Sequence, residues 1–123
     1  MTDTMADTVE GIYLIHTREF IITNKEIYKI GQSNNMETRV RNYPNGSNLL
    51  LSIISKNSIQ CEKDLIKQFK IKFTQKLFYG NEYFEGDVDE MISMICDYIT
   101  PTEKKNETKL TLFFDNVIAP LQA

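Results

Sequence analysis

The chain has 123 residues, 41% hydrophobic and 25% charged, a globular composition that excludes wholesale disorder and low-complexity fibres. Its length fits one domain with a core of its own, and its net charge of −3 gives no immediate sign of a nucleic-acid partner. Two cysteines, Cys61 and Cys96, without a CxxC pair point to reduced thiols rather than a disulfide framework or a zinc cage.

The start, MTDTMADTVE, is acidic and polar, unlike a signal peptide. No apolar run is long enough to span a membrane. Both features lead us to expect an intracellular protein. The charge is unevenly distributed. Residues 1–17 carry three acids and no Lys or Arg, residues 18–76 carry eleven Lys and Arg against five Asp and Glu, and residues 77–123 carry three against nine. A basic middle between acidic ends can offer one positive face to a phosphate backbone, although such lysines can equally be the solvated face of a helix.

In chain order, GIYLIHT (11–17) is β-rich and predicts a strand, and IYKIGQ (27–32) a second. REFIITNKE between them is too long for a tight turn and is expected to form a protruding loop. Asn34 with Glu37 has the capping-box pattern, opening a helix METRVRNY that Pro44 stops. NLLLSIIS (48–55) predicts a buried third strand. Asn57 opens a long helix in which Ile59, Glu62, Ile66, Phe69 and Phe73 form one stripe, with Cys61 and Leu65 beside it. LFYGNEYFEG follows, with Gly80-Asn81 as a two-residue turn between short strands and its aromatics, Phe78, Tyr79, Tyr83 and Phe84, in the core. Asp87 and Glu90 open a last helix that Pro101 ends. We therefore expect an α+β fold with a small antiparallel three-stranded sheet flanked by helices and a short C-terminal extension. Residues 1–10 form a flexible N-terminal segment, 11–100 the domain, and 101–123 a linker and tail. The tail is expected to dock on the domain or, as a homodimer contact through 109–123, on a second copy.

Three features stand out. Gly11-Ile12-Tyr13 heads the first strand. Lys29-Ile30-Gly31 lies in the second, with Arg39 eight residues after the glycine. Glu62 is a carboxylate in an otherwise apolar stripe, where a cation, a metal or a hydrogen-bond network is needed to hold it. His16 falls on the strand face opposite Tyr13 and is expected to be structural.

Together these residues resemble the GIY-YIG nuclease superfamily: GIYLIHT, then IYKIGQSNNMETRVRNY, then SIQCEKDLIKQF, then GNEYFEGD. The likeness spans about residues 11–98. It is similar to a short subgroup of large DNA viruses and phages whose second motif often reads KIG. The resemblance implies a metal-dependent endonuclease acting on DNA by attack of an activated water. Tyr13 would orient or deprotonate that water; its phenol is a poor base unless neighbouring cations lower its pKa, and Lys29 and Arg39 are the nearest candidates. Arg39 would clamp the scissile phosphate, and Tyr43 would contact the site one helical turn further on. Glu62 would bind a single Mg²⁺ or Mn²⁺. Arg41, Lys63, Lys67 and Asn81 are candidate nucleic-acid contacts. The resemblance to viral members would place the chain in the cytoplasm or nucleus of a host cell.

Lys29 stands where many members carry a second tyrosine. Alternation along the strand aims Lys29 at the site and Tyr28 at the core. That substitution and the net charge support the alternative of a nucleic-acid-binding module without strong activity on the same scaffold, and the 109–123 tail suggests a third reading, a dimeric interaction protein; the endonuclease reading leads.

Overall fold

A computed structural model of the chain describes residues 9–102. The tail at 109–123, with its expected dimer contact, lies outside them, as do most of the N-terminal segment and of the linker. The fold is α+β, with five antiparallel strands and four helices. β1 (Gly11–His16) is followed by α1 (Arg18–Ile22), β2 (Ile27–Ser33), α2 (Met36–Arg41) and β3 (Asn48–Ile54). Then come α3 (Ser58–Lys72), β4 (Thr74–Gln75), β5 (Tyr83–Glu85) and α4 (Val88–Thr102). The sheet order is β3-β1-β2-β5-β4. The three long strands are those the sequence predicts, and the short hairpin extends the sheet beside β2.

β1 lies between β2 and β3, antiparallel to both. Every residue from Gly11 to Ile15 is buried, because the two faces of the sheet are covered differently. Ile12, Leu14, Tyr28, Ile30, Leu51 and Ile53 meet Cys61, Leu65 and Phe69 of α3 and Met91, Ile95 and Ile99 of α4. That side is the main core. On the other face Tyr13 and Ile15 pack with Met36, Tyr43 and Leu49. This cluster is smaller and thinly covered, with Tyr43 and Leu49 only partly buried at its margin. Tyr28 is in the main core and Lys29 is not, as alternation requires.

The sequence reading needs correction at five places. Residues 18–22 form a helix rather than a protruding loop. Its last turn ends at Asn24 with φ 57, a conformation Asn tolerates better than most residues. His16 Nε2 lies 2.8 Å from the Lys25 carbonyl and its ring stacks on Tyr28, so it fastens this segment and is structural. The cap of α2 is Asn35, whose side chain accepts the Thr38 N–H, not Asn34. The buried face of α3 is Ser58, Cys61, Leu65 and Phe69, rotated from the expected stripe. Ile59 is exposed, and Glu62 lies at the border of the buried face. Pro101 falls within the last turn of α4 rather than beyond it.

The fifth correction concerns the hairpin. Its first arm is Thr74–Gln75, so seven residues rather than two connect it to β5. Phe84 is in the core as expected, but Phe78 is 92% exposed and Tyr79 is at the surface. Periodicity alone could not separate an apolar strand from an apolar loop. Phe78→Ala should change unfolding free energy by no more than about 0.5 kcal/mol. A denaturant titration checks this, and a larger loss would put Phe78 back in the core.

The start of α3 is pinned to the strand ends of β1 and β2. The Ser58 N–H and hydroxyl both donate to Glu10 Oε2, and Gln32 Nε2 donates to Ser58 Oγ. A carboxylate at a helix N-terminus satisfies free N–H groups there. Glu62 lies one turn after Ser58, so this anchor fixes its height against β2. Both cysteines are free, and Cys61 is buried beside Ser55.

Candidate functional site

The site forms on the thinly covered face. Tyr13 pairs across the ladder with Gly31, and Ile15 with Lys29. One face therefore carries Tyr13 from β1 and Lys29 from β2, with Gly31 as the floor between them. A side chain at Gly31 would collide with the Tyr13 ring, so glycine is what allows the phenol to lie across the neighbouring strand. Gly11 has a comparable reason, since a Cβ there would strike the Ile53 backbone of β3.

Above this floor stand α2 and the turn after it. Tyr43 Oη lies 2.7 Å from Tyr13 Oη, with the two rings edge to face. Lys29 Nζ donates to Tyr43 Oη at 2.7 Å. The same ammonium lies 5.1 Å from the Tyr43 ring centre and 5.9 Å from that of Tyr83, within cation–π range. Arg39, exposed on α2, interacts with both phenols. Lys29, Arg39, Tyr13 and Tyr43 are thus one connected group.

Tyr13 is 0% exposed, covered by its neighbours, whereas Tyr43 is half-buried and reaches the surface. Burial pushes the Tyr13 phenol well above its ordinary range, and the bond to Tyr43 adds to this. Lys29 and Arg39 act in the opposite direction but are outweighed. Lys29 and Arg39 thus pull the Tyr13 pKa down, but desolvation opposes the charged form more strongly than they favour it. Tyr13 holds its proton at neutral pH and positions Tyr43.

Glu62 approaches from the other face. β5 pairs with only residues 27–29 of β2. Where it leaves, the Ile30 N–H donates to the Glu82 carbonyl. Burial raises the Glu62 carboxyl above its ordinary range, Glu82 raises it further, and Lys29 and Arg39 oppose the rise. Glu62 is therefore in electrostatic range of the cluster, at the open edge of β2.

Of the remaining candidates, Arg41 pairs with Glu37 at 3.6 Å, both side chains largely exposed. It lines a cavity of about 300 Å³ that Tyr43 also borders. Lys63 and Lys67 are exposed one turn apart on α3. Asn81 is exposed in the loop before β5, its carbonyl accepting Gln75 Nε2. The structure brings Tyr13, Lys29, Arg39 and Tyr43 together and sets Glu62 within reach of their charge. It leaves Lys63, Lys67 and Asn81 at the surface.

Two residues were missed by the sequence reading. Glu82 couples to Glu62, and Tyr83 receives the Lys29 ammonium on its ring. Both enter through the pairing of β5 with β2, in which Lys29 faces Tyr83, and nothing local in GNEYF announces that partner.

The phenols supply a pH test. Burial raises Tyr13, Tyr28, Tyr43 and Tyr83 above the ordinary range, and the bond to Asp64 pushes Tyr98 up to about 12. An unfolded phenol ionises near about pH 10, so above it the unfolded chain releases protons the native state retains, and stability falls as pH rises. Tyrosinate absorbance should therefore appear above about pH 10 together with loss of helical circular dichroism. Ionisation of most tyrosines with the fold intact would contradict the burial described.

Residues 10–97 match the T5orf172 domain family, more than two thirds of the chain, and the chain belongs to that family, a phage-associated domain of endonuclease-type fold. No curated protein and no solved structure matches it. Among the described residues no helix is long and apolar enough to cross a membrane.

Proposed function

We propose that this member of the T5orf172 family is a metal-dependent DNA endonuclease that hydrolyses phosphodiester bonds at a GIY-YIG site. The observation that carries the reading is the single group formed by Lys29, Tyr43 and Tyr13 under the exposed Arg39. Phosphate cleavage needs cations where negative charge develops and a positioned hydroxyl near the attacking water. Arg39 is the exposed cation and can hold two phosphate oxygens at once. Lys29 adds a second positive charge. Tyr43 is the phenol that reaches the surface, and it orients the attacking water while its bonds to Lys29 and Tyr13 fix its ring.

The family resemblance implies a metal, and the residues fit one. Among the described residues there is no cluster of three or more His, Cys, Asp or Glu, which disfavours an all-protein cage. Mg²⁺ does not require one, since it commonly keeps several waters and takes one or two carboxylates plus substrate phosphate. Glu62 would hold it, with Glu82 the second carboxylate in range. A bound divalent ion supplies charge neutralisation at the phosphate and at the departing alkoxide. The basic stretch 18–76, the source of Lys29 and Arg39, would approach the backbone, with Arg41, Lys63 and Lys67 as further contacts.

Supercoiled plasmid incubated with Mg²⁺ or Mn²⁺ should be nicked, and a chelator should stop the reaction. Absence of cleavage on every DNA form with either ion would remove the enzyme reading. A second reading, a DNA-binding module on the same scaffold, draws on the complete burial of Tyr13. It requires salt-dependent retention of DNA without turnover.

A further inference from the structure

Beside Tyr43 lies a cavity of about 350 Å³ lined by Thr17, Arg18, Glu19, Ile22, Tyr43, Pro44 and Tyr83. Its size falls in the range of small-ligand sites. We propose that it receives one unstacked nucleobase of the DNA strand whose phosphate lies at Arg39 and Tyr43. The inference rests on the DNA reading above and adds to it the part of the substrate that is gripped.

Four observations carry it. First, the cavity borders the proposed phosphate site, because Tyr43 belongs to both and Tyr83, also in its wall, lies 5.9 Å from the Lys29 ammonium. A base attached next to a phosphate held there would be at the cavity mouth. Second, its wall has the surface a base stacks on. Tyr83 is braced by Phe20 and Tyr79, with ring centres 6.1 Å from each. Ile22 is 67% exposed, an apolar side chain at the rim with nothing covering it. Such stacking tolerates any base. Third, Thr17 is 6% exposed, and its hydroxyl is the one buried side-chain polar atom without a partner among the described residues. It starts α1 but does not cap it. Buried hydroxyls are normally hydrogen-bonded, so the wall of this cavity carries a polar group that lacks its usual partner. Fourth, the two charged side chains of the lining suit a nucleotide. Arg18 can meet a neighbouring phosphate, and Glu19 can accept from the exocyclic amine of a base such as cytosine.

The test compares two single strands of equal length, one of deoxycytidines and one of abasic sugar-phosphate units, using chain without added metal. Wild type should bind the cytosine strand about tenfold more tightly or better. Thr17→Val and Ile22→Gln should each reduce that preference several-fold, while affinity for the abasic strand and its salt dependence stay unchanged. Thr17→Val removes an unpartnered hydroxyl, so it should fold at least as stably as wild type, and Ile22 is on the surface. Equal binding of both strands by wild type would overturn the pocket while leaving the DNA reading intact. Retention of neither strand at low salt would also overturn the pocket, and the DNA reading would then be decided separately by plasmid cleavage.

Discussion

Gly31→Ala should yield a folded protein whose DNA cleavage is reduced by at least about 10²-fold, the scale of loss for a displacement near 1 Å at a catalytic centre. The added methyl would overlap the Tyr13 ring. Tyr13 cannot easily give way, because it is fully buried among Ile15, Met36 and Tyr43 and bonded to Tyr43 Oη. Overpacking of this kind costs about 1–3 kcal/mol of stability, which a denaturant titration would register. The functional loss should exceed what unfolding explains, because the ring that moves holds Tyr43. A double-mutant cycle separates the two effects. In a Tyr13→Ala background the ring that would be struck is already absent, so Gly31→Ala should add little further loss of rate. Rates that fall multiplicatively, or a Gly31→Ala protein that cuts as wild type does, would disconnect the glycine from the site.

That result bears on how the motif could be read at all. A glycine in a strand interior is locally unfavourable, so KIG in the second strand already signals a close approach. What approaches is a matter of register, and the Tyr13–Gly31 pairing is visible only once β1 and β2 are aligned. The three long strands, α3 and α4 were legible because their apolar spacing is long and regular. The short elements were not. α1 has five residues, and its helical character comes from docking Phe20 against Tyr79 and Tyr83 rather than from a periodic face. The hairpin was misplaced because Phe78 and Tyr79 look like strand residues until the loop is seen to leave Phe78 outside.

The site shows the same division between what is local and what is not. Lys29 pointing into the cluster and Tyr28 into the core follow from simple alternation. Arg39 and Tyr43 follow from one helical turn that continues into the next bend. The protonation of Tyr13 did not follow, because it depends on a balance between burial and two cations, and only the packed structure shows that burial dominates. Glu82 did not follow either, since it joins Glu62 through a strand pairing with β2 and not through any spacing in the chain.

Glu62→Gln should separate activity from stability in opposite directions. If Glu62 holds the divalent ion, the amide should lower the cleavage rate by at least about 10³-fold, or ~4 kcal/mol of transition-state stabilisation. The native state should not suffer. Burial, with the nearby Glu82, raises the Glu62 carboxyl above its ordinary range against the pull of Lys29 and Arg39. A carboxyl raised on folding holds its proton more firmly in the native state than in the unfolded chain. The contribution of Glu62 to stability is therefore greatest below the unfolded value of about 4.3 and declines as pH rises above it. In the absence of added metal, Glu62→Gln should melt at or above the wild-type temperature at pH 7, and the gap should close as the carboxyl is protonated below about pH 4. Added Mg²⁺ should raise the melting temperature of wild type and not of the variant, since an ion bound only to the native state stabilises it. A variant that instead melted lower at neutral pH would make Glu62 a structural partner of Lys29 and Arg39, and the metal site would have to be sought elsewhere.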